Sequence, residues 1–146
     1  MARDLATLKP QPRTLEILHP ATGANLGVRM TVVSVDDDRL RKVKRDLRNK
    51  RLALEQRGKS FTAKEEEENM QDLLIAACIG WEWYNPTGSE DDEGFDAEEM
   101  PEFEGEVPQF NPRNFKRVVE ALPWFGTQIS AFISETKDFF DNSEKN

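Results

Sequence analysis

Alternating apolar and polar positions near the N-terminus predict a β-hairpin. Leu15 and Ile17 share one side of a short run, and residues 19–25, which include Gly23, are rich in turn formers. Apolar residues then recur at every second position: Leu26, Val28, Met30 and Val32. Two alternating runs around a glycine-containing turn are typical of an antiparallel hairpin. A lone ribbon is marginally stable, so we expect it to pack on helices or on a partner's strand.

Apolar residues at three- and four-residue steps next predict a helical hairpin over residues 36–84. Its first helix is expected to be capped by Ser34 or Asp36 and to run to about Gln56. A narrow apolar stripe on that helix consists of Leu40, Val43, Leu47 and Leu54. The second helix begins at Thr62, with Glu65 completing a capping box. Its broader apolar face is expected to close with Trp81, Trp83 and Tyr84.

A further pair of helices is predicted after an acidic stretch. Asn111 is a typical capping residue, and Pro112 suits the first helical position. The inner face of this helix is formed by Phe115, Val118, Val119 and Leu122. Pro123 begins the last helix, whose apolar residues recur to about Phe140.

The fold class expected from these patterns is mainly α (α+β). A short N-terminal antiparallel β-hairpin is followed by about four α-helices, with an acidic flexible linker before the C-terminal helix pair. Residues 1–12 form a flexible arm, residues 13–141 a single domain, and residues 142–146 a polar tail. Within the domain we expect the β-hairpin at residues 13–35 and the helical hairpin at residues 36–84. The linker follows at residues 85–109, and the C-terminal helices at residues 110–141.

Charge is segregated along the chain. Residues 39–59 contain ten Lys or Arg against Asp46 and Glu55, whereas residues 90–106 contain ten acids and no base. The net charge of −8 argues against general nucleic-acid binding. No aromatic residue lies among residues 39–57 to stack on bases. The basic helix is therefore expected to meet acidic protein surfaces, within the chain or on a partner, through Arg41, Lys44, Arg45 and Arg48.

The acidic segment 85–109 has two interpretations. Its glycines, prolines and like charges favour an exposed, mobile tether. Three apolar residues spaced through it would alternatively serve as small anchors for a partner: Phe95, Met100 and Phe103.

The sequence contains no recognisable arrangement for catalysis, metal binding or cofactor binding. The only cysteine, Cys78, lies in an apolar run and is expected to be a buried, inert thiol. The only histidine, His19, stands beside Pro20 at a turn, without ligands at metal-site spacing. No stretch of about 18 apolar residues is present, so no membrane span is expected. We expect a protein that is not an enzyme and uses no cofactor.

The last third of the chain carries a resemblance. Residues 109–115 read Gln-Phe-Asn-Pro-Arg-Asn-Phe, and residues 122–125 read Leu-Pro-Trp-Phe. Gln128, Ile129, Phe132 and Phe139 follow them. Together with Pro-Ala-Thr-Gly at residues 20–23 and the pair Gly80-Trp81, this pattern resembles the small tail assembly chaperones of long-tailed (siphovirus-like) bacteriophages.

The resemblance implies a chaperone that catalyses no reaction. Such chaperones bind the tape-measure protein, keep its long apolar helices soluble and help to recruit major tail protein. They act in the host cell cytoplasm during assembly and are expected to be absent from the mature virion. Homo-oligomerisation is also plausible, through the free edges of the β-hairpin.

Seven apolar residues are candidates either for contact with a partner or for burial in the core. They are Leu122, Trp124, Phe125, Ile129, Phe132, Phe139 and Phe140. Two alternative functions stay open at this point: a structural virion protein, for tail completion or head–tail joining, and a small nucleic-acid-binding regulator that uses residues 39–59.

Overall fold

A computed structural model describes residues 2–135 of the 146-residue chain. This part of the chain is an α+β structure, 45% helical, with four α-helices and a three-stranded antiparallel sheet. The strands are β1 (Arg13–Leu18), β2 (Asn25–Val32) and β3 (Cys78–Trp83), in the spatial order β1-β2-β3. The helices are α1 (Asp38–Glu55), α2 (Ala63–Ala77), α3 (Pro112–Ala121) and α4 (Pro123–Ile133). The α+β class is confirmed, whereas the third strand was not predicted.

The predicted N-terminal hairpin is present. β1 pairs with β2 from Arg13 opposite Val32 onwards, with a register shift between Glu16 and Leu18. The connecting turn is closed by the Gly23 N–H, which donates to the His19 carbonyl oxygen across 2.9 Å. Alternate residues of β2 are buried, as the period-two pattern required: Val28, Met30 and Val32.

The second helix is shorter than predicted. Residues expected to continue it, Cys78–Trp83, instead form β3 against the free edge of β2, with Trp81 opposite Met30. Gly80 disfavours helix, and the alternation around Glu82 suits a strand. The decisive factor is non-local, because the N–H and C=O groups on that edge of β2 need partners. The edge of β2 that a second copy would have used is therefore occupied within the chain.

The N-terminus of α1 lies later than either predicted cap. Asp37 is the capping residue, and its side chain accepts a hydrogen bond from the Arg39 N–H at 2.9 Å. Ser34 instead accepts from the Asp36 N–H at 3.2 Å, which shapes the turn before the helix. Ser34 and Asp37 each accept a hydrogen bond from a backbone N–H two residues later, so sequence alone did not show which of them caps the helix.

The capping box of α2 is confirmed. The Thr62 hydroxyl accepts from the Glu65 N–H at 3.2 Å, and the Glu65 carboxylate accepts from the Thr62 N–H at 3.0 Å. The hydrogen bond from the Thr62 backbone, followed by that with its side chain, lowers the pKa of Glu65. Arg51 pairs with Glu66 across 2.9 Å, so the basic helix meets the acidic start of α2 at this point.

The C-terminal helices begin as predicted, but α4 is shorter than expected. Asn111 caps α3 by accepting from the Asn114 N–H at 2.8 Å, with Pro112 in the first turn. α4 ends at Ile133 rather than near Phe140. The candidate pair Phe139 and Phe140 lies outside the described residues.

The acidic segment 85–109 lies against the domain at several points. A short 3-10 helix, Ala97–Glu99, interrupts it, and Phe103 packs on the core beneath the guanidinium of Arg117. The Trp81 indole N–H donates to the Pro108 carbonyl oxygen at 3.0 Å. Arg117 also pairs with Glu104. The mobility expected of this segment stays a prediction, and its end is anchored by these contacts.

The core lies between one face of the sheet and the helices. Its largest fully buried side chains come from both layers and include Ile17, Met30, Leu40, Phe115, Phe125 and Ile129. Trp81 links the layers, because its ring lies 5.3 Å from that of Phe110 and 6.2 Å from that of Phe115. No helix in the described part of the chain is long and apolar enough to cross a membrane.

Candidate functional site

The predicted apolar contact residues divide into core and half-buried positions. Phe125 is 2% exposed and Ile129 is fully buried, so both belong to the core of the isolated chain. Leu122, Trp124 and Phe132 are half-buried and pack against that core. Trp81 and Trp124 pack against different aromatic rings. Trp81 packs on Phe110 and Phe115, whereas the ring nearest to that of Trp124 is its neighbour Phe125, at 6.2 Å.

An open groove runs between α2 and the outer face of α4, where no contact residue was predicted. Its volume is about 730 Å³. Apolar side chains form its floor, and Met70, 51% exposed, stands at its side. After Pro123, the residues of α4 that line it are small: Gly126, Thr127, Ser130 and Ala131. Small side chains on this wall would allow the backbone of another helix to approach closely.

The floor of the groove depends on Gly126. A Cβ atom at this position would lie 3.1 Å from Val119 Cγ1 and 3.3 Å from Leu74 Cδ1. The absence of a side chain therefore lets α4 pack closely on α2 and α3. The sequence signal for this groove was available, because the small residues Gly126, Ser130 and Ser134 recur at four-residue intervals and so share one side of the helix.

Acidic side chains flank the groove. Glu67 projects from α2 and Glu120 from α3, and both are exposed. The Gln71 amide donates to the Glu120 carboxylate at 3.4 Å across the gap between the helices. An apolar groove with this border favours an amphipathic helix that carries basic residues beside its apolar face.

The basic residues predicted on α1 form one exposed face. Arg41, Lys44, Arg45 and Arg48 line a common surface depression. Their one ion pair within residues 2–135 joins Arg41 to Asp38 at 4.0 Å, in the first turn of the same helix. The acidic segment 85–109 makes no ion pair with Arg41, Lys44, Arg45 or Arg48. Like charges held together on one helix attract a negatively charged partner.

Cys78 and His19 line neither the groove nor the depression on α1. Cys78 is buried, and burial raises the pKa of its thiol to about 12. His19 is exposed at the hairpin turn, where Nδ1 accepts from the backbone N–H groups of Ala21 and Thr22 at 3.1 and 3.2 Å. Among residues 2–135, no group of three or more His, Cys, Asp or Glu side chains is arranged to hold a metal ion.

Comparison of the chain with protein-family models, curated proteins and solved structures finds no significant match.

Proposed function

We propose that this chain is a tail assembly chaperone of a long-tailed bacteriophage that binds the tape-measure protein. The observation that carries the proposal is the groove between α2 and α4. It combines an apolar floor, small residues on one wall and acidic residues at the border. These are the features of a helix-in-groove interface, in which an amphipathic helix lays its apolar face on a partner.

A tape-measure protein is expected to present long apolar helix faces before the tail is assembled around it. Covering such faces prevents their association with one another, because exposed apolar patches drive aggregation. The acidic border and the net charge of −8 would keep the complex soluble. Recruitment of major tail protein is a second contact, for which the basic face of α1 is available.

The proposal is tested by co-expression with the tape-measure protein encoded in the same genome. We expect the chain to keep that protein soluble and to co-purify with it. Ala131→Arg places a bulky, charged side chain on the exposed wall of the groove and should abolish both effects. Ala53→Arg is the matched control, because Ala53 is an exposed helical position on α1 outside the groove.

Two results would overturn the assignment. One is a tape-measure protein that stays insoluble with the unaltered chain, and the other is equal solubilisation by the Ala131→Arg and Ala53→Arg variants. The chain should also be absent from purified virions. Permanent copies in the particle would instead support the structural virion function.

Nucleic-acid binding is a second candidate function, favoured by the exposed basic face of α1. Its test is retention on duplex DNA at low salt and loss of retention as salt rises. Reversal of charge at Arg41, Lys44, Arg45 and Arg48 should abolish retention if this function is real. Retention that is unchanged by the reversal, or not seen at all, excludes it.

A further inference from the structure

The basic face of α1 carries positive charge that is largely unpaired within residues 2–135. Its four residues recur at positions i, i+3, i+4 and i+7, which places them on one side of the helix: Arg41, Lys44, Arg45 and Arg48. All four are exposed, and Arg41 alone is in an ion pair within the described residues, with Asp38 at 4.0 Å. Positive charge clustered in this way attracts a cluster of negative charge.

The same chain carries a complementary surface in its acidic segment. Residues 90–106 contain ten acids and no base, and all ten acidic side chains are exposed. Glu104, which pairs with Arg117, is the one member of this set in an ion pair within the described part of the chain. The two surfaces therefore carry unpaired charges of opposite sign.

The fold holds these two surfaces on different elements. The acidic segment is anchored to α3 by the ion pair between Glu104 and Arg117. It also lies over the sheet and the start of α4, where it encloses a cavity of about 340 Å³ with Val28 and Trp124. The basic face belongs to α1, which packs on α2. Among residues 2–135 no carboxylate of the segment pairs with that face, so a contact between the two is left to different copies of the chain.

Part of the acidic segment, residues 85–96, is a loop closed by its own hydrogen bonds, which we call the acidic loop. The Asn85 side-chain amide donates to the Asp96 carbonyl oxygen at 2.7 Å, and the Asp92 carboxylate accepts from the Ser89 N–H at 2.8 Å. A loop held in this way loses less conformational entropy on binding than a free tether. Three of its exposed carboxylates are in no ion pair within the described residues: Glu90, Asp91 and Glu93.

We propose that the basic face of α1 binds the acidic loop of a second copy of this chain, so that the protein associates with itself through opposite charges. Lys44, Arg45 and Arg48 meet the three carboxylates of that loop. The net charge of −8 opposes association of two copies. At physiological ionic strength, however, exposed charges more than about 8 Å apart are largely screened, so the complementary surfaces in contact dominate.

This contact does not rest on the tail-chaperone assignment. Neither the basic face nor the acidic segment lines the groove between α2 and α4. Solubilisation of the tape-measure protein tests the groove, whereas the mass of the purified chain tests this contact. Failure of one proposal is therefore distinguishable from failure of the other.

The experiment measures the weight-average mass of the nuclease-treated full chain by sedimentation equilibrium. At about 20 mM salt we expect the mass to rise with protein concentration. At about 500 mM salt the association constant should be at least tenfold lower, because salt screens the attraction between exposed charges. A chain that stays monomeric at low salt up to millimolar concentration overturns the proposal, and so does self-association that salt does not weaken.

Two charge-reversed variants test the surfaces themselves. Lys44→Glu, Arg45→Glu and Arg48→Glu reverse the basic face, and Glu90→Lys, Asp91→Lys and Glu93→Lys reverse the acidic loop. Each variant alone presents surfaces of like charge, so its self-association at low salt should be at least tenfold weaker. An equimolar mixture should associate again, because each reversed surface then meets a complementary one. A mixture that associates no better than the separate variants contradicts the contact.

A third variant separates this contact from the effect of net charge. Lys9→Glu, Lys64→Glu and Arg113→Glu change the net charge by the same amount as reversal of the basic face, at exposed positions outside α1. We expect this control to weaken self-association about twofold or less at low salt. Equal weakening by the control and by reversal of the basic face would show that overall repulsion governs association, and would overturn the proposal.

Discussion

The side-chain amide of Gln128 makes two hydrogen bonds to the backbone of Leu18. Its Nε2 donates to the Leu18 carbonyl oxygen at 2.7 Å, and its Oε1 accepts from the Leu18 N–H at 2.9 Å. Leu18 ends β1, which is an edge strand of the sheet. The amide of α4 thus takes the place of a neighbouring strand, and it occupies backbone groups that another chain would otherwise be free to pair with.

Replacing Gln128 by Ala should destabilise the fold measurably. Both hydrogen bonds are lost, and the expected decrease in the free energy of unfolding is about 1–2 kcal/mol. Gln71→Ala is the matched control, because Gln71 makes a single long hydrogen bond, 3.4 Å, to Glu120. Denaturant unfolding should show little change for the control. Equal stabilities of the two variants would mean that the Gln128–Leu18 pair contributes nothing.

Gly27 should be much less tolerant of substitution than Gly23. Both have positive φ, at 83° and 73°. A Cβ atom at Gly27 would lie 2.1 Å from the Tyr84 carbonyl oxygen, whereas at Gly23 it would meet no atom within 4 Å. We expect Gly23→Ala to cost about 1 kcal/mol and Gly27→Ala about 3 kcal/mol or more, up to loss of folding. Similar melting temperatures for the two variants would contradict this close approach.

The thiol of Cys78 should be almost unreactive in the folded chain. It is 5% exposed, and burial raises its pKa to about 12. An ordinary cysteine has a pKa near 8.5, so the thiolate fraction at mildly alkaline pH is lower by roughly a thousandfold or more. Alkylation by iodoacetamide should therefore be slow in buffer and fast in denaturant. Comparable rates in the two conditions would show that the thiol is accessible.

The same burial predicts a contribution to alkaline unfolding. The folded pKa lies above the unfolded one, so the unfolded chain loses the proton first as pH rises. The stability associated with the neutral thiol is present below the unfolded pKa and declines between about pH 8.5 and 12, by at most about 1.4 kcal/mol per pH unit. Cys78→Ala should remove this component. Parallel stability curves for the two proteins over this range would refute it.

The capping box at Thr62 predicts a pH effect of the opposite sign. Hydrogen bonds from Thr62 lower the pKa of Glu65, so its carboxylate stabilises the fold above the unfolded pKa, and the effect is lost as pH falls through the folded value. Thr62→Ala should cost about 1 kcal/mol at neutral pH. It should also flatten the acid limb of the stability curve in part, because the contribution of the hydroxyl is lost while the N–H of residue 62 still donates to Glu65. An unchanged acid limb would mean that the Glu65 pKa is not coupled to the Thr62 side chain.

Most of the local structure was predictable because its stabilising interactions lie within a few residues. The box at Thr62 and Glu65 and the cap at Asn111 each satisfy backbone donors in the next turn of the chain. The period-two pattern of β2 was equally clear, since one face of the sheet is buried and the other is not. These elements follow from short-range hydrogen bonding and from the spacing of apolar side chains.

The errors arose where distant residues compete for the same segment. Trp81 and Trp83 fit a helix face by their apolar character, but pairing with Met30 and Val28 made them part of a strand. Spacing alone could not show whether Phe125 and Ile129 pack in the core or contact a partner. A helix has the same apolar periodicity in both cases.

The amino-acid sequence by itself determined the hairpin, the four helices, most of their starting points and the separation of basic from acidic charge, because capping, periodicity and charge are properties of neighbouring residues. Only the tertiary structure decided that Cys78–Trp83 joins the sheet, that the groove opens between α2 and α4, and that a cavity lies beneath the acidic segment. Each of these features depends on which distant segments pack together. The packing that forms is the one that buries apolar area and pairs backbone groups over the fold as a whole, rather than within any one segment.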